Sequence, residues 1–245
     1  LTDSLNSKKD LIKFFHLPPE TVFVTPLAAD PIYLQIPSPS LLKIIKEKYR
    51  LADKFILYVG GINANKNLVR LAQAAINLNV HLVLVGGEFV KPPLETFSLK
   101  KLLGIQKIHP EIKQFRKLQQ LISGSPLFHL LGFVSSDELN VIYRLASVYC
   151  QPSLYEGFGL PLLEAMTAGC PVVSSDTASL PEIYPPEIHT FDPTNQKEIE
   201  QTLAKTLALS SKEKAKQIKA GIIKAGEFTW AKTAQLTYAV YRKNI

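Results

Sequence analysis

The sequence has few of the features that mark membrane, secreted or metal-binding proteins. Only two of its 245 residues are cysteines. Cys150 and Cys170 form neither a CxxC nor a metal-ligand pattern, so we expect them to be small core residues in a reducing compartment. No apolar run approaches the roughly 18 residues of a membrane-spanning helix, and the N-terminus lacks a signal-peptide core. These absences predict a cytoplasmic protein.

Several catalytic signatures are absent as well. No Asp-x-Asp pair is present to hold a divalent cation against a diphosphate, and HExxH and GxSxG are missing. The strand-ending glycines match neither GxGxxG nor the P-loop pattern. We therefore expect neither a metal nor a cofactor. The histidines are scattered, and those in strand patterns, His81 and His129, are expected to be structural.

The formal net charge of +7 favours an anionic partner. Nucleic acid is not expected, because neither an RNP-like motif nor zinc-finger spacing accompanies the basic residues. Many cations lie in one stretch, for which a solvated helix face is the favoured interpretation. Contact with an anionic membrane surface, where a lipid-linked acceptor is presented, is the alternative. This stretch contains Lys100, Lys101, Lys107, Lys113, Arg116 and Lys117.

Short apolar strands alternate with helical patterns along most of the chain. This alternation predicts an α/β fold with a parallel sheet and helices on both faces. Ser135 and Glu138 form a capping box, Asn63 or Asn65 caps the helix that begins near Lys66, and Trp230, Tyr238 and Tyr241 are expected to face the core. Strands are predicted at 55–60, 80–87, 128–133, 148–152 and 171–175, and helices at 66–79, 135–146, 161–168, 196–209, 212–226 and 229–243.

The first thirty residues differ from this pattern. Ser7 is the predicted cap of a helix over 7–15, and residues 21–25 are a predicted strand. A proline-spaced connection follows. One helix and one strand cannot form a core, so this segment either packs on the main domain or is the end of a domain whose beginning is absent.

Two glutamates, Glu156 and Glu164, flank a glycine-rich turn that runs directly into a helix. Gly157 and Gly159 can bring backbone N–H groups close to an anion at the positive end of the helix. Because the predicted helix is apolar on nearly every side, Glu164 needs a hydrogen-bond donor, and the diol of a ribose would serve. An ordinary helix start, in which Glu164 only complements the helix dipole, is the alternative that these residues alone leave open.

Glycine turns also end other predicted strands. Gly60 and Gly61 follow the first strong strand, Gly86 and Gly87 follow the next, and Gly132 ends a third. The carboxyl ends of parallel strands lie at one edge of the sheet, where such sheets bind ligands. The turns therefore predict a shared site that suits phosphate groups.

Taken in order, these stretches resemble the nucleotide-sugar half of a GT-B glycosyltransferase, specifically retaining glycosyltransferase family 4, which includes bacterial polysaccharide and lipopolysaccharide mannosyl- and glucosyltransferases. The segments on which the resemblance rests are YVGGINANKN (58–67), LVLVGG (82–87), the long segment 131–184 and FDP (191–193). Glu156 and Glu164, with seven residues between them, match the family's signature. The resemblance implies a Rossmann-like sheet, the C-terminal domain of a GT-B fold, with a helical C-terminus.

The resemblance also implies roles for individual residues. Glu164 would hold the ribose hydroxyls of a UDP- or GDP-linked sugar. Lys66 would balance the diphosphate charge and Glu156 would face the donor sugar, and these two are the candidate catalytic residues. The implied donor site consists of Gly60, Gly61, Lys66, Gly86, Val134, Leu139, Glu156, Phe158, Gly159, Leu160 and Glu164.

Two departures from the family pattern concern the diphosphate. Many relatives place an arginine where this chain has Gly61, and others place one where it has Asn65. One cation of the family's diphosphate site is therefore missing or comes from elsewhere.

The implied activity is transfer of a hexose, with retention, to a glycan or lipid-linked acceptor. A nucleotide-sugar-binding module that is inactive without a partner N-terminal domain is the alternative, and an epimerase of the same fold is less favoured. The expected domains are a remnant of the N-terminal acceptor domain (1–30), a linker (31–50), the donor domain (51–228) and a helix that packs on the missing N-terminal domain (229–245). Peripheral contact with the inner face of the membrane is a further expectation.

Overall fold

A computed structural model describes residues 1–90 and 110–244. Within them the chain forms one parallel sheet of six strands in the order β3-β2-β1-β4-β5-β6. This confirms the predicted α/β fold class. The strands are β1 Phe55–Val59, β2 His81–Val85, β3 Phe128–Leu131, β4 Val148–Gln151, β5 Val172–Ser175 and β6 His189–Phe191.

Helices cover both faces of the sheet. The α-helices are α1 Leu5–Phe15, α2 Pro39–Lys48, α3 Leu68–Leu78, α4 Gly87–Val90, α5 Pro110–Ile122, α6 Ser136–Leu145, α7 Leu160–Thr167, α8 Leu180–Ile183, α9 Gln196–Leu207, α10 Ser211–Ala225 and α11 Trp230–Asn244. Short 3₁₀ helices lie at Pro19–Thr21, Pro31–Leu34 and Ala64–Lys66. One face of the sheet carries the core that includes α2, α6, α7, α8 and α10, and the other carries the core that includes α3, α5 and α9.

The central strand β1 shows why the sheet lies between two helical layers. Phe55 and Leu57 point into one core, whereas Ile56 and Tyr58 point into the other. All four side chains are fully buried, and a strand that is apolar on both faces needs cover on both faces. Beside β1, the strand order reverses between β1 and β4. Such a reversal opens a crevice at the carboxyl ends of the strands.

The segment before β1 is less regular than its sequence predicts. The predicted strand at 21–25 is wrong, because only a parallel bridge between Thr2 and Val24 forms there. Within the described residues, Val24 has Thr2 as its only bridge partner. The predicted cap of α1 is also wrong: Ser4, not Ser7, caps the helix and accepts a hydrogen bond from the Ser7 N–H.

Tertiary contacts also change two other predicted caps. Neither Asn63 nor Asn65 caps α3; the cap position is Asn67, whose left-handed backbone (φ 57°) starts the helix. The Asn67 side-chain amide donates to the carbonyls of Pro152 and Pro193, and its Oδ1 accepts from the Arg70 guanidinium instead of from a backbone N–H of the helix. In α6, Ser135 accepts from the Glu138 N–H as predicted. The Glu138 carboxylate, however, accepts from Lys48 and Tyr49.

The final helix α11 does not bury its aromatic residues. Trp230, Tyr238 and Tyr241 are 49%, 63% and 57% exposed, so the expectation that they face the core is wrong. The helix instead contacts the N-terminal segment through Thr233, whose hydroxyl donates to the Pro26 carbonyl at 2.5 Å. Thr233 makes that contact, and the three aromatic side chains stay exposed.

Other expectations have mixed outcomes. Cys150 and Cys170 are free and buried, as predicted. The expected linker 31–50 contains α2, and its Ile45 is buried in the core; the domain boundaries stay predictions. In the Lys-rich stretch, Lys100, Lys101 and Lys107 lie outside the described residues. None of the helices in the described ranges is both long enough and apolar enough to span a membrane.

The end of β2 gives a test of close backbone packing. A Cβ atom on Gly86 would lie 2.2 Å from the Gly60 carbonyl oxygen, whereas one on Gly87 would meet no atom within 4 Å. We expect Gly86→Ala to lower the free energy of unfolding by about 2–3 kcal/mol, since backbone must move to relieve the clash. Gly87→Ala, the matched control, should change it by less than about 0.5 kcal/mol. Urea denaturation measures both, and equal stabilities would contradict the packing described.

Candidate functional site

The candidate site lies where the loops after β1 and β4 meet, at the crevice of the sheet. The Leu154 N–H donates to the Asn65 carbonyl at 2.7 Å, and the Asn65 side-chain amide donates to the Tyr155 carbonyl at 3.0 Å. The Asn67 amide adds its bond to Pro152. These bonds fix the loop that carries Lys66 against the loop that carries Glu156.

An ion pair between Lys66 and Glu156 occupies the centre of the site. The Lys66 Nζ lies 2.7 Å and 2.9 Å from the two carboxylate oxygens. Gln151 and Ser153 both donate to one of these oxygens, Oε1 of Glu156, at 2.7 Å and 2.6 Å. Glu156 is only 9% exposed, and a charge at that depth needs such partners. The carboxylate is thus fully supplied with donors in the free chain.

The turn 157–159 and helix α7 follow directly. Gly159 has φ of 105°, and a Cβ atom there would lie 2.6 Å from a methyl carbon of Leu180. The turn therefore requires glycine. The N–H groups of Phe158 and Gly159 have no hydrogen-bond acceptor within residues 1–90 and 110–244. Together with the N-terminus of α7 they present donors and partial positive charge to the crevice.

Glu164 lies one turn into α7, in surroundings unlike those of Glu156. Its carboxylate accepts a hydrogen bond from the Tyr143 hydroxyl at 3.2 Å. The pKa of Glu164 is raised to about 7, chiefly by burial; the Tyr143 hydrogen bond lowers the pKa, and the nearby charge of Asp30 raises it. The carboxyl group therefore takes up a proton near neutral pH.

The glycine turns around β1 and β2 pack together. The missing side chain of Gly86 lets the Gly60 carbonyl approach, and Gly60 itself has φ of 148°. The Tyr58 hydroxyl donates to the Gly61 carbonyl at 2.8 Å. The predicted residues Gly60, Gly61 and Gly86 therefore lie in one cluster at the carboxyl edge of the sheet.

The predicted apolar residues of the site have side chains in the core or packed against it. Val134, Leu139 and Phe158 are buried in the core cluster that also contains other residues of α6 and α7. Leu160 is partly buried and begins α7. The structure thus brings the polar residues together at the crevice and leaves these four side chains in or against the core, where they can offer only backbone groups or packing. Their roles stay predictions.

The sequence reading missed several residues of the site. Gln151 and Ser153 donate to Glu156, and Tyr143 donates to Glu164. The Ser179 hydroxyl lies 2.9 Å and 3.0 Å from the carbonyl oxygens of Glu156 and Phe158 and supports the turn from behind. Gln151 and Ser153 were detectable, because they are polar residues at the end of a buried strand. Tyr143, which lies 21 residues before Glu164, carried no local signal.

Metal ligands do not cluster in the part of the chain that the structure describes. No group of three or more His, Cys, Asp or Glu side chains has metal-binding geometry there. His81 and His129 pair with each other, Nδ1 to Nε2, at 3.1 Å across β2 and β3, as expected of structural residues. The absence of a metal and of a cofactor from the reaction stays a prediction.

Several curated proteins similar to this chain are mannosyltransferases. The chain is 30% identical over 238 residues to the serotype-specific mannosyltransferase WbdA of Escherichia coli, covering 95% of this chain and 27% of that protein. It is 29% identical over 248 residues to the O-antigen chain mannosyltransferase B of Escherichia coli, covering 99% of this chain and 60% of that protein. The chain thus spans less than two thirds of either relative.

A solved structure agrees on the fold. A glycosyltransferase from Rickettsia africae superposes with a TM-score of 0.80 at 15% identity, covering 98% of this chain and 62% of that chain. The sequence profile described as "Glycosyl transferases group 1" matches residues 43–224, which include the ion pair, the glycine turns and α7. On this match, the chain belongs to the glycosyl transferases group 1 family.

Proposed function

We propose that this chain is the donor-binding half of a retaining glycosyltransferase that transfers a hexose from a UDP- or GDP-linked sugar to a glycan or lipid-linked acceptor. The observation that carries the proposal is the Lys66–Glu156 pair beside the N-terminus of α7. A cation and unpaired backbone donors at one crevice suit a diphosphate. The names of the two mannosyltransferase relatives favour a mannosyl group.

In this proposal Lys66 and the turn before α7 bind the diphosphate. Lys66 exchanges its contact with Glu156 for a contact with phosphate, and Gln151 and Ser153 still donate to the carboxylate that it leaves. The donors of the turn do not move, since Gly159 and Ser179 fix it. Preorganised donors of this kind stabilise the charge that develops on a leaving diphosphate.

Glu164 binds the ribose. Tyr143 supplies one hydrogen bond to the carboxylate, which leaves further acceptor positions for the two hydroxyls of a ribose. A ribose also compensates the burial that raises the Glu164 pKa, because its hydroxyls donate to the charged form. The backbone of Val134 contacts the base and Leu139 packs beside the nucleoside.

Glu156 faces the donor sugar but is not the nucleophile. Its Oε1 already accepts hydrogen bonds from Lys66, Gln151 and Ser153, and such donors make a carboxylate oxygen less nucleophilic. The leaving diphosphate instead takes the proton of the acceptor hydroxyl on the same face of the sugar. The acceptor oxygen bonds to the anomeric carbon as the bond to the diphosphate breaks, and the configuration is retained. No metal or cofactor enters this scheme.

The acceptor is bound by a further domain in this proposal. Aromatic residues are exposed on both terminal helices: Phe14 and Phe15 on α1 are 64% and 71% exposed, and Tyr238 on α11 is 63% exposed. Exposed apolar surface of this kind favours a protein interface. It also supports the second candidate, a nucleotide-sugar-binding module that acts only with an N-terminal partner domain.

Calorimetric titration of this chain with UDP and with GDP tests the donor site. Saturable binding of one nucleotide is the expected result, and absence of binding of both would refute the proposal. Transfer assays after addition of an N-terminal domain then separate the two candidates. Sugar transfer identifies the enzyme, whereas nucleotide binding without transfer in the presence of a folded partner identifies the module.

Glu164→Gln should weaken nucleotide binding only by weakening the hydrogen bonds with the ribose. We expect the Kd of the preferred nucleoside diphosphate to rise about tenfold to a hundredfold, because hydrogen bonds to a charged group are lost. The 2′,3′-dideoxy analogue is the matched control ligand. This analogue should bind the wild type weakly, and it should bind Glu164→Gln with the same affinity. If the substitution weakens both ligands equally, Glu164 does not contact the ribose.

Nucleotide affinity should fall as pH falls through neutrality. The Glu164 pKa is raised to about 7 by burial, so the carboxylate that accepts two ribose hydrogen bonds exists above this pH and is lost below it. Between pH 8 and pH 6 we expect Kd to rise about tenfold more for the wild type than for Glu164→Gln. The variant controls for protonation of the phosphate, and parallel pH profiles for the two proteins would contradict the role.

Lys66→Met should affect both stability and diphosphate binding. Removing the cation leaves Glu156 buried without its ion-pair partner, so we expect a loss of about 2 kcal/mol of unfolding free energy. The Kd of the nucleoside diphosphate should rise about tenfold or more, and that of the nucleoside should not change. Adding Glu156→Gln to the variant should restore stability but not diphosphate affinity. Restored affinity would show that Lys66 acts only through Glu156.

A further inference from the structure

A third carboxylate lies at the candidate diphosphate site. Glu88, in α4 after the Gly86–Gly87 turn, accepts a hydrogen bond from the Ile62 N–H at 2.7 Å through Oε2. The same oxygen would lie 3.0 Å from a Cβ atom on Gly61. Glu88 thus places a negative charge directly on the turn 60–62, in the space that the missing side chain of Gly61 leaves open.

Glu88 also belongs to the same electrostatic site as the central ion pair. Burial raises the pKa of Tyr58, and the charges of Glu156 and then Glu88 raise it further. The Tyr58 hydroxyl donates to the Gly61 carbonyl, so it lies at the turn and within reach of both carboxylates' fields. An anion that enters this crevice therefore approaches Glu88 as well as Lys66.

The Glu88 side chain can leave the turn without disturbing the fold. The next residue, Phe89, is 8% exposed and packs edge-on against the Tyr58 ring, with ring centroids 6.3 Å apart. The Phe89 N–H donates to the Gly86 carbonyl. The backbone is therefore held, whereas the Glu88 side chain is exposed and rotates freely into solvent once its bond to Ile62 breaks.

We propose that Glu88 is an internal competitor of the donor diphosphate, occupying the turn 60–62 in the free chain and leaving it when the nucleotide sugar binds. This inference rests on the proposed donor site. The Ile62 N–H has one proton, which a carboxylate and a phosphate oxygen cannot both accept in good geometry. Two anions at one turn also repel each other. Glu88 therefore lowers affinity for diphosphates and speeds release of the nucleotide product.

Glu88→Gln isolates the charge, because the amide oxygen can still accept from the Ile62 N–H. The experiment titrates UDP, GDP and their nucleosides into the wild type, Glu88→Gln and the exposed control Glu187→Gln. We expect Glu88→Gln to lower the Kd of the preferred nucleoside diphosphate about tenfold and to leave the nucleoside Kd unchanged. Glu187→Gln, which makes the same charge change elsewhere on the surface, should match the wild type for every ligand.

The outcomes separate this inference from the proposed function. If Glu88→Gln binds the diphosphate as weakly as the wild type does, or more weakly, Glu88 does not compete and the inference is overturned while the donor site stands. If affinity for the nucleoside rises equally, the effect is not at the diphosphate and the inference again fails. If no protein binds UDP, GDP or a nucleoside, both the donor site and the inference are overturned.

Discussion

The ion pair between Lys66 and Glu156 holds the candidate site together. It joins the loops that follow β1 and β4, which come from distant parts of the chain and meet only because the strand order reverses between them. The amide side chains of Asn65 and Asn67 reinforce the same junction. A buried pair is a costly feature unless its hydrogen bonds are complete. Here Gln151 and Ser153 complete them, so the crevice keeps a positioned cation without a bound anion.

The two signature glutamates differ in environment rather than in chemistry. Glu156 has a cation and two further donors, whereas Glu164 has one tyrosine hydroxyl and the nearby charge of Asp30. Among the described residues, the first carboxylate accepts from three side chains and the second from one. A partly buried carboxylate with further acceptor positions is the kind of group that a ligand with two adjacent hydroxyls would complete. This difference is the basis for the separate roles proposed for the two residues.

Close contacts explain why glycine is needed at two positions of the site, and a carboxylate fills the space beside a third glycine. Gly86 is needed because the Gly60 carbonyl occupies the space of its side chain, and Gly159 is needed because Leu180 does. The open space beside Gly61 is filled by the carboxylate of Glu88. The turn that the sequence leaves without an arginine at Gly61 therefore carries an anion. In the proposed donor site, Lys66 and Glu88 would act on a diphosphate in opposite directions.

The fold class, most strand positions, the glycine turns and the two glutamates could be predicted from the residues alone, because apolar periodicity and glycine placement are local properties. Predictions failed where the partner is distant in the chain: the aromatic face of α11, the cap of α3 and the short β-bridge at Val24 all depend on contacts across the fold. The contacts of Lys66 with Glu156, of Tyr143 with Glu164 and of Glu88 with the turn at Ile62 became visible in the folded chain alone. Each of these contacts joins separate elements at the sheet edge, and sequence spacing does not encode the distance between side chains that long-range packing brings together.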